Sequence, residues 1–347
     1  MQRLSLALTW RSMVGVLSPF LASIADTRGR KMGLLTGMFL FSSGIATVVF
    51  WPTFLGFALA LVLSTLGKYM FDPAMQAYLG DRIPYERRGF VLAMAELGWS
   101  GAFLVGVPLM GVLIARAGWL APFPLLSLLG FTALFVIYRI MPPDPKGASE
   151  RASLFSNFAV VFASSSARAG LAVGLLFSAS NELVNLVMGI WLEDAFGLKI
   201  ASLGVVAIVI GLAELGGEGL VSGLVDRLGK RRAVAIGLVG NSLAAVALPV
   251  LGVTTQGALI GLFLFFISFE FTLVSSLPLM SEILPERRAT VMALIFAGGS
   301  LGRAAADFIG IQVFSYGILV SAVAAAGVNA LALLALRGVR VAADESS

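Results

Sequence analysis

Arg11, Lys68, Asp72, Glu96, Glu182, Glu214, Glu218, Glu270, Arg303 and Asp307 each interrupt a stretch of otherwise apolar sequence. A lone charge in such a place costs several kcal/mol, so it needs a partner, water or a function. Spacing sorts these residues. Lys68 with Asp72, and Arg303 with Asp307, are opposite charges four residues apart on one helical face and can neutralise each other. Glu214 and Glu218 share that spacing but have the same sign. Two carboxylates on one face repel when both ionise, so this pair is expected to hold a proton near neutral pH unless a cation intervenes. The alternative is a structural role, such as pairing with the basic loop nearby. Asn181, Glu182 and Asn185 form a polar face, and Glu270 stands near the middle of its apolar stretch. Glu96 is about six residues into its stretch, roughly 9 Å, and can reach an interface; Arg11 can snorkel outward in the same way.

The chain has no Cys and no His. That excludes disulfides, soft-metal sites, Cys or Ser/His nucleophilic dyads and imidazole proton relays together. Proton chemistry is left to carboxylates, no P-loop is present to use ATP, and neither a cofactor nor a membrane enzyme is expected. With 59% hydrophobic and 12% charged residues and a mean hydropathy of +0.96, the 347 residues have too little polar surface to coat a soluble globule. Their solvent is lipid. The net charge of +5 is no nucleic-acid footprint, because the basic residues lie in short clusters between apolar stretches.

The elements that hold the charges are therefore membrane-spanning helices, each needing roughly 20 apolar residues. The breaks predict eleven: 5–25, 33–52, 54–80, 90–115, 118–138, 168–190, 201–225, 233–252, 257–282, 289–312 and 316–336. The first is read as a mature span rather than a signal peptide, because Arg11 interrupts it and no clear small-residue cleavage site follows. Alternate connections hold most of the Arg and Lys, which places that side, and the C-terminus, in the cytoplasm and the N-terminus outside. One long polar stretch, 141–167, separates an N-terminal bundle, 1–140, from a C-terminal bundle, 168–347.

The halves repeat. Asp26-Thr-Arg-Gly-Arg-Lys31 matches Asp226-Arg-Leu-Gly-Lys-Arg231, and Glu86-Arg87-Arg88 matches Glu286-Arg287-Arg288, both 200 residues apart. Val91, Ala93, Gly98 and Ser100 find Val291, Ala293, Gly298 and Ser300 at the same offset, so one module is used twice. The counterpart of span 168–190 would precede residue 1. Twelve spans are therefore expected in the full-length protein, with a further apolar span encoded upstream of Met1; a native eleven-helix design is the alternative.

These residues resemble the major facilitator superfamily, whose signature loop reads approximately G-x-x-x-D-x-x-G-R-K/R. Asp26, Gly29, Arg30 and Lys31 match it, as do Asp226, Gly229, Lys230 and Arg231, with Ala22 and Ser222 in place of the leading Gly. The loop needs a tight turn, with Gly permitting a positive φ. Two features depart from the family. The Arg expected about twelve residues before the Pro of the fourth helix falls on Leu61, and the antiporter pattern G-x-x-x-G-P-x-x-G-G survives in part, as Gly101, Gly106, Pro108 and Gly111 with Val107 for Gly. Close helix packing and a Pro kink are the plainer reading of those small residues.

The resemblance implies an all-α membrane fold of two pseudo-symmetric bundles. Helices 1, 4, 7 and 10 line a central cavity, and 3, 6, 9 and 12 face lipid. With the spans numbered two to twelve, the intramembrane charges avoid 3, 6, 9 and 12. Lys68, Asp72, Asn181, Glu182, Asn185 and Glu270 are then the expected substrate or ion contacts, with Glu214, Glu218, Arg303 and Asp307 as further proton or substrate candidates. The signature loops are expected to act as gate latches. The function implied is alternating-access transport of a small molecule by a monomer in the cytoplasmic membrane, as proton-coupled efflux. Uptake by symport and a non-transporting sensor or assembly role are the alternatives, and the substrate is not readable from one scaffold that serves many.

Overall fold

The computed structural model describes residues 28–142, 154–197 and 203–341. The first predicted span with Arg11, the signature residue Asp26 and the polar segment 143–153 lie outside the described residues. Among the described residues there is no strand, and ten helices are long and apolar enough to cross a membrane. They match the ten predicted spans of that range, with ends moved by several residues.

In chain order the helices are α1 (Arg30–Phe50), α2 (Phe54–Arg82), α3 (Tyr85–Gly101), α4 (Val107–Ala117), α5 (Pro122–Ile140), α6 (Leu154–Ala163), α7 (Ser165–Phe196), α8 (Leu203–Leu228), α9 (Lys230–Leu251), α10 (Thr255–Met280), α11 (Arg288–Phe314) and α12 (Ile318–Leu336). A π turn, Ala102–Gly106, joins α3 to α4 within one continuous 33-residue span. The stretch 141–167, expected as a polar linker, contains α6, because its second half reads LFSNFAVVFA and is apolar enough to coil.

The repeat is visible in the backbone. α1 and α9 begin at Arg30 and Lys230, each directly after the glycine of its signature loop. Gly29 has φ 104° and Gly229 φ 85°, where a Cβ would strain the chain, so the motif glycine sets the start of both helices. The next turn is alike too: Gly29 O accepts from Gly33 N–H at 3.2 Å and Gly229 O from Ala233 N–H at 2.9 Å. Further along, Gly37 and Gly237 hold equivalent places at close crossings. A Cβ on Gly37 would lie 2.8 Å from Gly67 O on α2, and one on Gly237 would run into Thr272 on α10. In lipid, where tails are as apolar as Leu, such close backbone approach is what holds helices together.

The helices pack into two compact units. Among the described residues the first comprises those up to Arg82, those from Val105 to Ala163 and Leu284–Ala297, with α1 packed on α2 and α5. The second comprises Ile83–Leu104 and the described residues from Ser164 to Ile283 and from Gly298 onward. In it α9 packs on α10 and α12, which repeats the arrangement of α1, while α8 and α10 also take α3. Its core includes Leu183, Val184, Leu248, Leu262 and Phe265. A buried polar tie runs through that core: Asn329 Nδ2 donates to Asn241 Oδ1 at 2.8 Å, and Asn241 Nδ2 donates to Phe265 O at 2.8 Å. The two homologous spans each begin in one unit and end in the other. The first changes at Leu104/Val105, inside the π turn, and the second at Ala297/Gly298.

Candidate functional site

The intramembrane charges fall into three groups. Lys68 and Asp72 stand one turn apart on α2 in the first unit and form an ion pair, as their spacing predicts. Arg303 and Asp307 on α11 do not. They form no ion pair among the described residues; both act electrostatically on Glu182 of α7, whose Oε1 accepts from Asn185 Nδ2 at 3.0 Å. The glycines of α11 bring these residues together. Gly299 meets Ser178 and Gly302 meets the Leu175 backbone, so α7 and α11 run in contact along one seam. Asn181, on the same helix as Glu182, is buried, and its Oδ1 has no hydrogen bond.

The third group brings four acids together. Glu214 and Glu218 lie on α8, and Glu270 on α10 is within electrostatic range of both and of Glu96 on α3. Glu218 is fully buried and Glu270 is 6% exposed. Close packing puts them there, since a Cβ on Gly217 would lie 2.7 Å from the Glu270 Cβ. Glu218 Oε1 accepts from Ser100 Oγ at 2.5 Å, while its Oε2 has no hydrogen bond. A pairing of Glu218 with the basic loop is therefore not what the fold provides. A carboxylate with one oxygen held and the other bare in an apolar setting is equipped to take up a proton or to meet a cation. Among the described residues no three acids converge closely enough to hold a metal ion.

At the basic end of the helices, Asp226 of the second signature loop faces the start of α3. Its Oδ1 accepts from Gly89 N–H at 3.2 Å and its Oδ2 from Phe90 N–H at 3.0 Å, and Lys230 Nζ donates to Oδ1 at 2.9 Å. Gly89 and Phe90 are the fifth and sixth residues of α3, so the carboxylate lies against the first two turns of that helix, near the positive end of its dipole. The Lys230 ammonium also sits 4.3 Å from the centre of the Tyr85 ring. Arg231 donates to Arg337 O at 3.0 Å. In the first unit Arg30 Nε binds Asp81 Oδ2 at 2.9 Å, and Lys31 Nζ donates to Tyr138 O at 2.9 Å and Met141 O at 2.5 Å, closing the C-terminus of α5.

Four residues of this end were not singled out as partners from the sequence. Arg88, 4% exposed, pairs with Glu282, and Arg288, 7% exposed, pairs with Asp81. The two arginines are equivalent by the 200-residue repeat, and each takes an acid from the opposite half of the sequence. The Glu-Arg-Arg repeat marked the positions but read only as a topological charge cluster; burial of its last arginine is the added fact.

A profile of the Major Facilitator Superfamily matches residues 3–306. This chain belongs to the major facilitator superfamily. YceJ of Bacillus subtilis (strain 168), an uncharacterized MFS-type transporter, is 24% identical over 301 residues, which are 82% of this chain and 74% of that protein. YwfA of the same organism, also an uncharacterized MFS-type transporter, is 34% identical over 97 residues, spanning 28% of this chain and only 24% of YwfA. Among solved structures, the E. coli fucose:proton symporter FucP superposes with a TM-score of 0.84 at 14% identity, covering 97% of this chain and 90% of that one. The human organic anion transporter MFSD10 gives 0.80 at 18% identity, covering 95% and 82%. At such identities the likeness is one of fold. The superfamily's multi-pass transporter architecture is thus shared by this chain, and its signature residues Gly29 and Gly229 stand where the helix starts require them.

Proposed function

We propose that the protein is a secondary transporter that works by alternating access, exporting a small molecule in exchange for protons across the cytoplasmic membrane. It acts as a monomer with its basic connections and C-terminus on the cytoplasmic side. The observation that carries the coupling is the convergence of four acids, Glu96, Glu214, Glu218 and Glu270, with Glu218 fully buried and one of its oxygens without a hydrogen bond. Glu214 and Glu218 are assigned the coupling proton. Lys68, Asp72, Asn181, Glu182, Asn185 and Glu270 are assigned to substrate or ion contact, with Arg303 and Asp307 completing the charge set around Glu182. The signature loops, Asp26 to Lys31 and Asp226 to Arg231, are assigned to gating. The bonds of Asp226 to the start of α3 support that role, because such a contact is easily made in one state and broken in another. Efflux is favoured by Gly101, Gly106, Pro108 and Gly111, which lie along the span broken by the π turn.

The test is transport by purified protein in liposomes, using solutes that raise its thermal stability in a binding screen. Antiport accumulates solute in liposomes with an acidic lumen; symport accumulates it when the outside is acidic. Flux that ignores both gradients overturns the coupling, and no flux of any stabilising solute favours a sensor or assembly role.

A further inference from the structure

On the first unit, α1 and α5 enclose a groove of about 490 Å³ that no transport role uses. Met32, Thr36 and Phe39 line it from α1, and Phe131, Phe135 and Tyr138 from α5. On each helix the lining residues recur at helical spacing, so each presents a single face over roughly 10 Å of its length. The groove has two defined ends. Deep in the span, α1 and α5 touch where Gly130 meets Ser42. At the other end, Lys31 bonds the last carbonyls of α5. The walls are apolar and open: Phe39 is 53%, Phe135 59% and Tyr138 62% exposed, and the Thr36 hydroxyl is turned back onto Met32 O at 2.8 Å.

The cations at this rim are seated on the groove's own walls. Lys31 Nζ lies 5.4 Å from the centre of the Tyr138 ring, and the Arg139 guanidinium lies 5.5 Å from that of Phe135. Arg139 is exposed and its N–H groups have no acceptor among the described residues. An apolar slot inside a membrane span, ending in cations at the membrane surface, complements a molecule with a long apolar tail and an anionic head. We propose that this groove binds one acyl chain of an anionic phospholipid, with the headgroup phosphate on Arg139 beside Lys31. The planar guanidinium offers paired donors to phosphate oxygens, and Lys31 adds charge while it stays on the α5 carbonyls.

The experiment is native mass spectrometry of the full chain released from mixtures of phosphatidylglycerol and phosphatidylcholine with identical acyl chains. The wild type should retain phosphatidylglycerol preferentially. Arg139→Gln should reduce that preference by about fivefold, the effect of one cation at a membrane surface. Thr36→Trp, which fills the slot, should reduce retention of both lipids, and Arg232→Gln, an exposed cation of the second unit, should change nothing. Equal retention of the two lipids by the wild type overturns the proposal, as does an equal effect of Arg139→Gln and Arg232→Gln. A dimer in lipid-free detergent that Thr36→Trp dissociates would assign the groove to a second copy of the chain, and would equally overturn it. If Thr36→Trp does not fold, the comparison of the two arginine variants decides alone.

Discussion

A carboxylate held inside a membrane span is defined by what meets each of its oxygens. Glu218 gives one oxygen to Ser100 and leaves the other bare, with Glu214 one turn away and Glu270 facing it from α10. Glu218→Gln keeps size and hydrogen bonding but removes the exchangeable charge. The pH dependence of transport should flatten while equilibrium substrate binding stays largely in place; an unchanged pH profile in both Glu214→Gln and Glu218→Gln would make the pair structural. Asp226 accepts with both oxygens, from two adjacent N–H groups. An amide turns one of those acceptors into a donor, so Asp226→Asn should lose charge-assisted contacts worth about 1–3 kcal/mol in one state only. That biases a two-state equilibrium by roughly 5- to 150-fold, so transport rate should fall far more than affinity measured at equilibrium. The repeat extends the same expectation to Asp26→Asn. At this scale the sequence was informative about helical neighbours: Lys68 and Asp72 pair as their spacing implies. It was silent on partners far apart in the chain, such as Ser100 for Glu218, because one residue's periodicity carries no address for a residue on another helix.

Helices were legible because each needs a long apolar run, and a run of that length leaves few ways to misplace its centre. The departures have local causes. The apolar half of 141–167 coils as α6, and the span through Gly101 and Pro108 keeps its course by a π turn, an extra residue per turn that no hydrophobic pattern records. Glycine content also divides by element in a way that composition alone conceals. Gly302 faces the backbone of Leu175 across the α7/α11 seam, whereas a Cβ on Gly98 or Gly101 in α3 meets nothing within 4 Å. Among the described residues, then, no neighbour crowds Gly98 or Gly101. Gly302→Ala should destabilise the protein by about 1–3 kcal/mol through overpacking. Gly98→Ala should be neutral or stabilising by about 0.5–1 kcal/mol, since Ala is the better helix residue. Thermal unfolding of the two variants in detergent checks the contrast, and equal effects would mean that the seam yields.

Across the molecule the repeat was the most legible feature, since a constant offset relates the signature loops, the Glu-Arg-Arg loops and, in the structure, the helix starts and the glycine crossings. What it did not reveal is that the repeated arginines reach acids of the opposite half, Arg88 to Glu282 and Arg288 to Asp81. Removing one member of a buried pair takes away part of what compensates the other's charge, so Glu282→Gln should lower the unfolding temperature. The Arg88→Glu, Glu282→Arg double exchange should recover part of that loss; no recovery would show that the carbonyl bonds of Arg88 to Ile83, at 3.1 and 3.3 Å, matter more than the pair. The central claim is that protons on the acidic cluster drive a change between two states of the whole protein, and it can be tested without a known substrate. The chain has no cysteine, so Ile140→Cys with Arg232→Cys places one spin label on each compact unit of the full-length protein. In liposomes the distance between the labels should fall into two populations whose ratio shifts from alkaline to acidic buffer, and Glu218→Gln should hold that ratio fixed. A single population that ignores pH, or a shift that Glu218→Gln leaves intact, would contradict the account.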